Sequence, residues 1–122
     1  MSSASIAIVD DDKAAREAMK TLVRSLGYDA STFGSAEEFL NSEQVDDTSF
    51  LITDLHMPNL DGIGLVSALR THRSYRRAPI FVMTSGARDD EKARVRAAGA
   101  TAWIVKPFDR DKLIDAIESV MH

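Results

Sequence analysis

Apolar residues along this chain come in two alternating rhythms. Brief continuous runs end abruptly at polar residues: Ile6-Ala7-Ile8-Val9 at Asp10, Phe50-Leu51-Ile52-Thr53 at Asp54, Pro79-Ile80-Phe81-Val82-Met83 at Thr84, and Ala102-Trp103-Ile104-Val105 at Lys106. Such runs are the mark of strands buried on both faces of a parallel sheet. Tyr28 to Phe33 is a weaker run of the same kind. Between the runs the spacing changes. Ala15, Ala18, Met19, Leu22, Val23 and Leu26 recur every three or four residues, predicting a helix from Lys13 to Leu26 with Gly27 as its stop. Ser35-Ala36-Glu37-Glu38 reads as a capping box that opens a short helix through Leu40. The same spacing predicts helices over Gly62 to His72, Asp89 to Ala98 (stopped by Gly99) and Asp109 to Met121. Asn41 to Ser49 is polar and reads as a loop.

Five strands alternating with five helices predict an α/β domain with a parallel sheet. Right-handed crossovers then place helices on both faces. No linker or repeat interrupts the pattern, so residues 1–122 read as one domain.

Composition narrows the function classes. The chain has no cysteine, which excludes disulfides, thiol catalysis and Cys-ligated zinc. No apolar run approaches a membrane span and no signal peptide precedes Ile6, so a soluble cytoplasmic protein is expected. A net charge of −4 argues against direct nucleic-acid binding. Arg70, His72, Arg73, Arg76 and Arg77 form one local basic cluster, read either as a contact for an anionic partner or as a solvated helix end. Ser2 to Ser5 is a short polar leader.

Parallel strands bring their carboxyl ends to one edge, where ligands of open α/β sheets bind. Four strand ends here carry Asp10, Asp11 and Asp12, then Asp54, Thr84 and Lys106. Asp12 fits the N-cap of the first helix, a role that leaves Asp10 and Asp11 unexplained. Gathered carboxylates about 4 Å apart repel by roughly 4 kcal/mol per pair at an effective dielectric near 20. Protons or a cation must offset that repulsion. Hard oxygen donors point to Mg²⁺, with Lys106 as a second positive charge for phosphate.

The segments Val9-Asp10-Asp11, Asp54 to Gly62 (DLHMPNLDG), Met83-Thr84-Ser85 and Val105-Lys106-Pro107-Phe108 resemble the response-regulator receiver domain of two-component signalling, over nearly the whole chain. The resemblance implies a flavodoxin-like, doubly wound sheet of order 2-1-3-4-5 with five helices. It implies Asp54 as phosphoacceptor, and Mg²⁺ held by Asp11, Asp54 and the backbone carbonyl of His56, with Asp10 acting through water. Thr84 and Lys106 would bond the phosphoryl oxygens, and Lys106-Pro107 would be cis. Thr84 and Trp103 would form the switch, with the helix Asp89–Ala98, the Trp103 strand and the last helix as output face. The implied protein is a signalling switch rather than an enzyme, catalysing only its own phosphotransfer and slow dephosphorylation. Its implied partners are a sensor histidine kinase or phosphotransfer protein and a downstream effector, with a phosphorylation-dependent homodimer also allowed.

Some positions depart from the family pattern. Tyr or Phe is commoner than Trp at 103, and Ser85 adds a second hydroxyl beside the site. His56 and Gly86 flank the acceptor at positions that in this family bear on hydrolysis of the phosphoaspartate. Three rival readings fit less well. An aspartyl-phosphate phosphatase wants an acid where His56 stands, a pure docking module has no use for the intact acidic set, and a flavodoxin wants a hydroxyl- and glycine-rich loop where Asp10–Asp12 stand. A stand-alone receiver and the N-terminal domain of a larger regulator are both open.

Overall fold

The computed structural model describes residues 4–72, 75, 77–86 and 88–121. Ser2 and Ser3 of the polar leader and Arg73 and Arg76 of the basic cluster lie outside them. The strands are β1 (Ser5–Val9), β2 (Asp29–Phe33), β3 (Phe50–Asp54), β4 (Ile80–Thr84) and β5 (Ala102–Val105). The helices are α1 (Lys13–Ser25), α2 (Ala36–Leu40), α3 (Gly62–Arg70), α4 (Asp89–Ala98) and α5 (Arg110–Met121). All strand pairs are parallel, in the order β2-β1-β3-β4-β5. The flavodoxin-like order is thus the one the resemblance implies.

Strand alternation divides the core into two layers. Ala7, Val9, Leu51, Ile80 and Val82 face one side, where Phe39, Leu65, Leu69 and Val95 of α2, α3 and α4 cover them. Ile6, Ile8, Phe50, Ile52, Phe81 and Met83 face the other, packed under Met19, Leu22, Val23, Leu113 and Ile117 of α1 and α5. Apolar residues on both faces of the central strands are what make their runs continuous in sequence.

Helix ends follow the expected chemistry. The Asp12 carboxylate accepts from the amides of Ala14 and Ala15 at 3.0 and 3.4 Å, so it is the α1 cap. Gly27 and Gly99 stop α1 and α4 with φ of 93° and 106°. The Ser35 hydroxyl caps α2 through the amide of Glu38.

Other expectations need correction. The polar stretch Asn41–Ser49 is not a plain loop. It holds a 3-10 turn over Glu43–Asp46 and a buried Thr48 whose hydroxyl donates to the carbonyl of Gln44. The basic cluster is not simply a solvated helix end. The Arg70 guanidinium donates to the carbonyls of Gly99, Ala78 and Tyr75, holding the end of α4 and the α3–β4 connection. Partial burial lowers its pKa from the ordinary arginine value. Tyr75 in that connection is fully buried edge-on against Phe39, and burial pushes its phenol up to about 12.

Candidate phosphoacceptor site

The chain runs from β1 outward to β2 and then crosses back to β3, so a crevice opens where β1 and β3 lie side by side. The residues that leave these strands supply the acids. Asp10 is fixed at three points: its amide donates to the Phe33 carbonyl, its carbonyl accepts from Arg16, and its Oδ1 accepts the Asp12 amide. Asp11, next in the chain, is exposed. Asp54 ends β3. One carboxylate oxygen from each of Asp10, Asp11 and Asp54 lies within 4.8 Å of the other two.

Lys106 follows β5 and reaches into this cluster. Its amide donates to the Thr84 carbonyl at 2.7 Å, and the peptide bond to Pro107 is cis. Its Nζ lies 3.1 Å from Asp54 and 3.2 Å from Asp10. The side chains of Asp10, Asp54 and Lys106 are only 9%, 13% and 24% exposed, so water screens these charges weakly.

The pKa directions follow from that crowding. Burial, then the neighbouring Asp10 charge, raise the Asp54 carboxyl above its ordinary value, and Lys106 only partly opposes them. Burial works to lower the Lys106 ammonium, but Asp54 and Asp10 together outweigh it and hold it above the usual lysine range. The site is therefore a dense acidic pocket in which Lys106 does not relieve Asp54. Asp10, Asp11 and Asp54 offer hard oxygen donors and excess negative charge, a donor set that fits a divalent cation such as Mg²⁺.

Thr84 is buried at the end of β4, and its hydroxyl is engaged with its own loop. It donates to the Gly86 carbonyl at 3.0 Å and accepts the Gly86 amide at 3.2 Å. Trp103 is half-buried on β5 against the core layer beneath α4, and its indole N–H is buried without a hydrogen-bond partner among the described residues. A cavity of about 320 Å³ lies beside it, lined by Lys92, Val95, Arg96 and Val105 among others.

A match to the response regulator receiver domain spans residues 6–118. The chain belongs to the response regulator receiver family. This receiver is 34% identical over 121 residues to the chemotaxis protein CheY of Pseudomonas aeruginosa, an alignment covering 96% of the chain and 95% of that protein. It is 31% identical to the transcriptional regulatory protein FixJ of Bradyrhizobium diazoefficiens, over 96% of the chain but 56% of FixJ. It therefore spans little more than half of that regulator's length. Among solved structures, the chemotaxis protein CheY4 of Vibrio cholerae matches with a TM-score of 0.90 at 29% identity, covering 98% of this chain and 99% of that one.

Three contributors to the receiver site are not among the residues picked out from sequence. Gly62 opens α3 where a Cβ would stand 2.5 Å from the Asp54 carbonyl oxygen and 2.9 Å from the Leu55 Cα, so only glycine permits this approach. Arg16 holds the Asp10 carbonyl. Glu91, on the first turn of α4, meets His56: Nε2 of the ring lies 2.8 Å from its Oε2. The hydrogen bond from His56, then that from the Arg88 amide, hold the Glu91 carboxyl below its ordinary range. Of these, only Gly62 stands inside a recognised motif.

Proposed function

We propose that residues 1–122 form a receiver domain that takes a phosphoryl group onto Asp54 and thereby switches a protein-interaction face. The observation that carries this reading is the largely buried Asp54 carboxylate held against Lys106, with Asp10 and Asp11 alongside. A carboxylate is a weak nucleophile, so rate must come from positioning and from neutralising the transferring group. Asp54 Oδ attacks phosphorus of a phosphohistidine. The new O–P bond forms as the P–N bond breaks and the imidazole leaves. Lys106 Nζ, 3.1 Å from Asp54, would pair with a phosphoryl oxygen. Asp11, Asp54 and the His56 backbone carbonyl would hold Mg²⁺ directly and Asp10 through water, and the bound ion supplies charge compensation for carboxylates and phosphoryl oxygens alike.

The Thr84 hydroxyl would leave Gly86 to bond the new oxygens. Trp103, whose buried N–H has no partner among the described residues, would follow by changing its burial. The phosphodonor is a sensor histidine kinase or phosphotransfer protein. The readout is an effector domain, a partner protein or a second copy of the chain, bound through α4, β5 and α5. Catalysis is confined to the domain's own phosphotransfer and slow dephosphorylation. We place it in the cytoplasm, without direct contact to nucleic acid or membrane; no helix among the described residues is long and apolar enough to cross a membrane.

Incubation with a small acyl phosphate and Mg²⁺ should add one base-labile phosphoryl group, read by intact-mass spectrometry. Asp54→Asn should abolish the addition; stoichiometric labelling of that variant would move the acceptor elsewhere.

A further inference from the structure

Helix α4 is weakly anchored along its length. Val95 is its one buried side chain among the described residues. Its two ends are held instead. At the C-terminal end, Arg70 donates two hydrogen bonds to the Gly99 carbonyl. At the N-terminal end, both oxygens of Glu91 are engaged. Oε1 accepts the Arg88 amide at 3.2 Å, which caps the helix, and Oε2 meets the His56 ring at 2.8 Å. A carboxylate only accepts, so the proton lies on Nε2 of His56 whether the ring is neutral or charged.

His56 stands two residues after Asp54, in the loop that leads to α3. One end of that loop is fixed to the sheet by the Leu55 amide on the Met83 carbonyl, at 2.8 Å. The other is fixed by the Gly62 amide on the Leu55 carbonyl, also at 2.8 Å. A displacement at the acceptor therefore has little slack to disappear into before it reaches His56. His56 in turn touches the residue that caps α4.

We propose that Glu91 is a positioning residue that couples the acceptor loop to α4, so that filling the Asp54 site alters the first turn of that helix by a route separate from Thr84 and Trp103. This inference rests on the proposed function, since it takes Asp54 as the point of perturbation. The firmly held C-terminal end acts as the pivot and the His56–Glu91 contact as the lever. Coupling of this kind is reciprocal: disturbing the α4 cap must change ligand affinity at Asp54 by the same factor.

The test uses Mg²⁺ with beryllofluoride as a phosphoryl mimic, amide hydrogen exchange of α4 as readout, and ¹⁹F NMR of the bound mimic to report occupancy separately. In the unsubstituted protein, filling the site should change exchange of the first-turn amides of α4 by about two- to five-fold, the range open to one partly exposed charged contact. His56→Ala should reduce that response to the part that Thr84 transmits, and adding Glu91→Ala to it should reduce it no further. His56→Gln, which keeps an N–H donor, should restore part of it, as a loss of packing alone would not. A bound mimic with no change in α4 overturns the coupling and leaves the proposed function standing, as does a response of equal size in His56→Ala. Failure of the mimic to bind overturns the proposed function and the coupling together.

Discussion

Asp54→Asn should make the metal-free protein more stable, because the folded site opposes the charge it needs. The Asp10 and Asp54 oxygens, up to 4.8 Å apart, repel by about 3.5 kcal/mol at an effective dielectric near 20. On the same scale Lys106, 3.1 Å away, contributes about 5 kcal/mol of attraction. Desolvation of the carboxylate adds several kcal/mol against it. The balance falls against the charged form, and burial with the Asp10 charge raises the Asp54 pKa accordingly. After relaxation we expect Asp54→Asn to gain about 1–2 kcal/mol at pH 7.5, seen as a higher urea midpoint at unchanged slope.

The pH dependence fixes the sign. Between the ordinary value of 3.8 and the raised folded value, the folded state holds the Asp54 proton more often than the unfolded chain does. Stability of the unsubstituted protein therefore falls as pH rises through that window. The advantage of the variant grows from nothing below it to its full size above. Saturating Mg²⁺ should reverse the order, since a ligand at 100 times its Kd stabilises by about 2.7 kcal/mol and Asp54→Asn lacks one of its donors. A variant less stable than the parent at pH 7.5 without metal, or an advantage that does not change with pH, would refute this account of the site.

Other substitutions probe its neighbours. Lys106→Met should cost about 3–5 kcal/mol at pH 7.5 by leaving two buried carboxylates without their cation, as measured by urea unfolding. In the unsubstituted protein the Lys106 contribution should persist below pH 10.5 and be lost as pH rises through its raised folded pKa, which a series of unfolding curves in alkaline buffers would follow. Gly62→Ala must push the Asp54 carbonyl from a 2.5 Å contact, so it should cost about 1–3 kcal/mol and slow phosphoryl uptake; an unchanged rate would mean the loop gives way freely. Thr84→Ala should leave Asp54 able to accept a phosphoryl group but abolish the change in Trp103 quenching by acrylamide that the parent shows with the phosphoryl mimic.

What was legible in the sequence follows from range. Strand runs, the Asp12 cap and the Gly27 and Gly99 stops depend on neighbours within a turn or so, and parallel pairing brings the strand ends to one edge whatever the details. Asp10, Asp11, Asp54 and Lys106 meet for that reason. Contacts that depend on how two distant elements pack leave no such trace. Glu91 lies 35 positions from His56, and in sequence it reads as one more first-turn acid. Arg70 reads as a solvated cation because the carbonyl of Gly99, 29 positions on, is free to accept only once α4 has ended beside it. The Thr84 hydroxyl reads in sequence as a site residue, yet its bonds to Gly86 are a local turn that competes for it.

That competition bears on how a receiver of this sequence can switch. Moving a two-state domain from one per cent to ninety-nine per cent active takes about 5.5 kcal/mol of differential binding. A hydrogen bond from Thr84 to a charged phosphoryl oxygen contributes about 1.5–3 kcal/mol, but the hydroxyl must first surrender neutral bonds to Gly86 of about 0.5–1.5 kcal/mol each. Thr84 alone then falls well short. Lys106 adds less than its charge suggests, because it is already paired with Asp54 and Asp10 before any phosphoryl group arrives. A full switch therefore requires a further element that responds to the same event. Helix α4, held at its ends and little along its length, is such an element, and Glu91 is its contact with the loop after Asp54. Without the Glu91 route, the switch is only partly thrown by phosphorylation and completed by the partner that binds it.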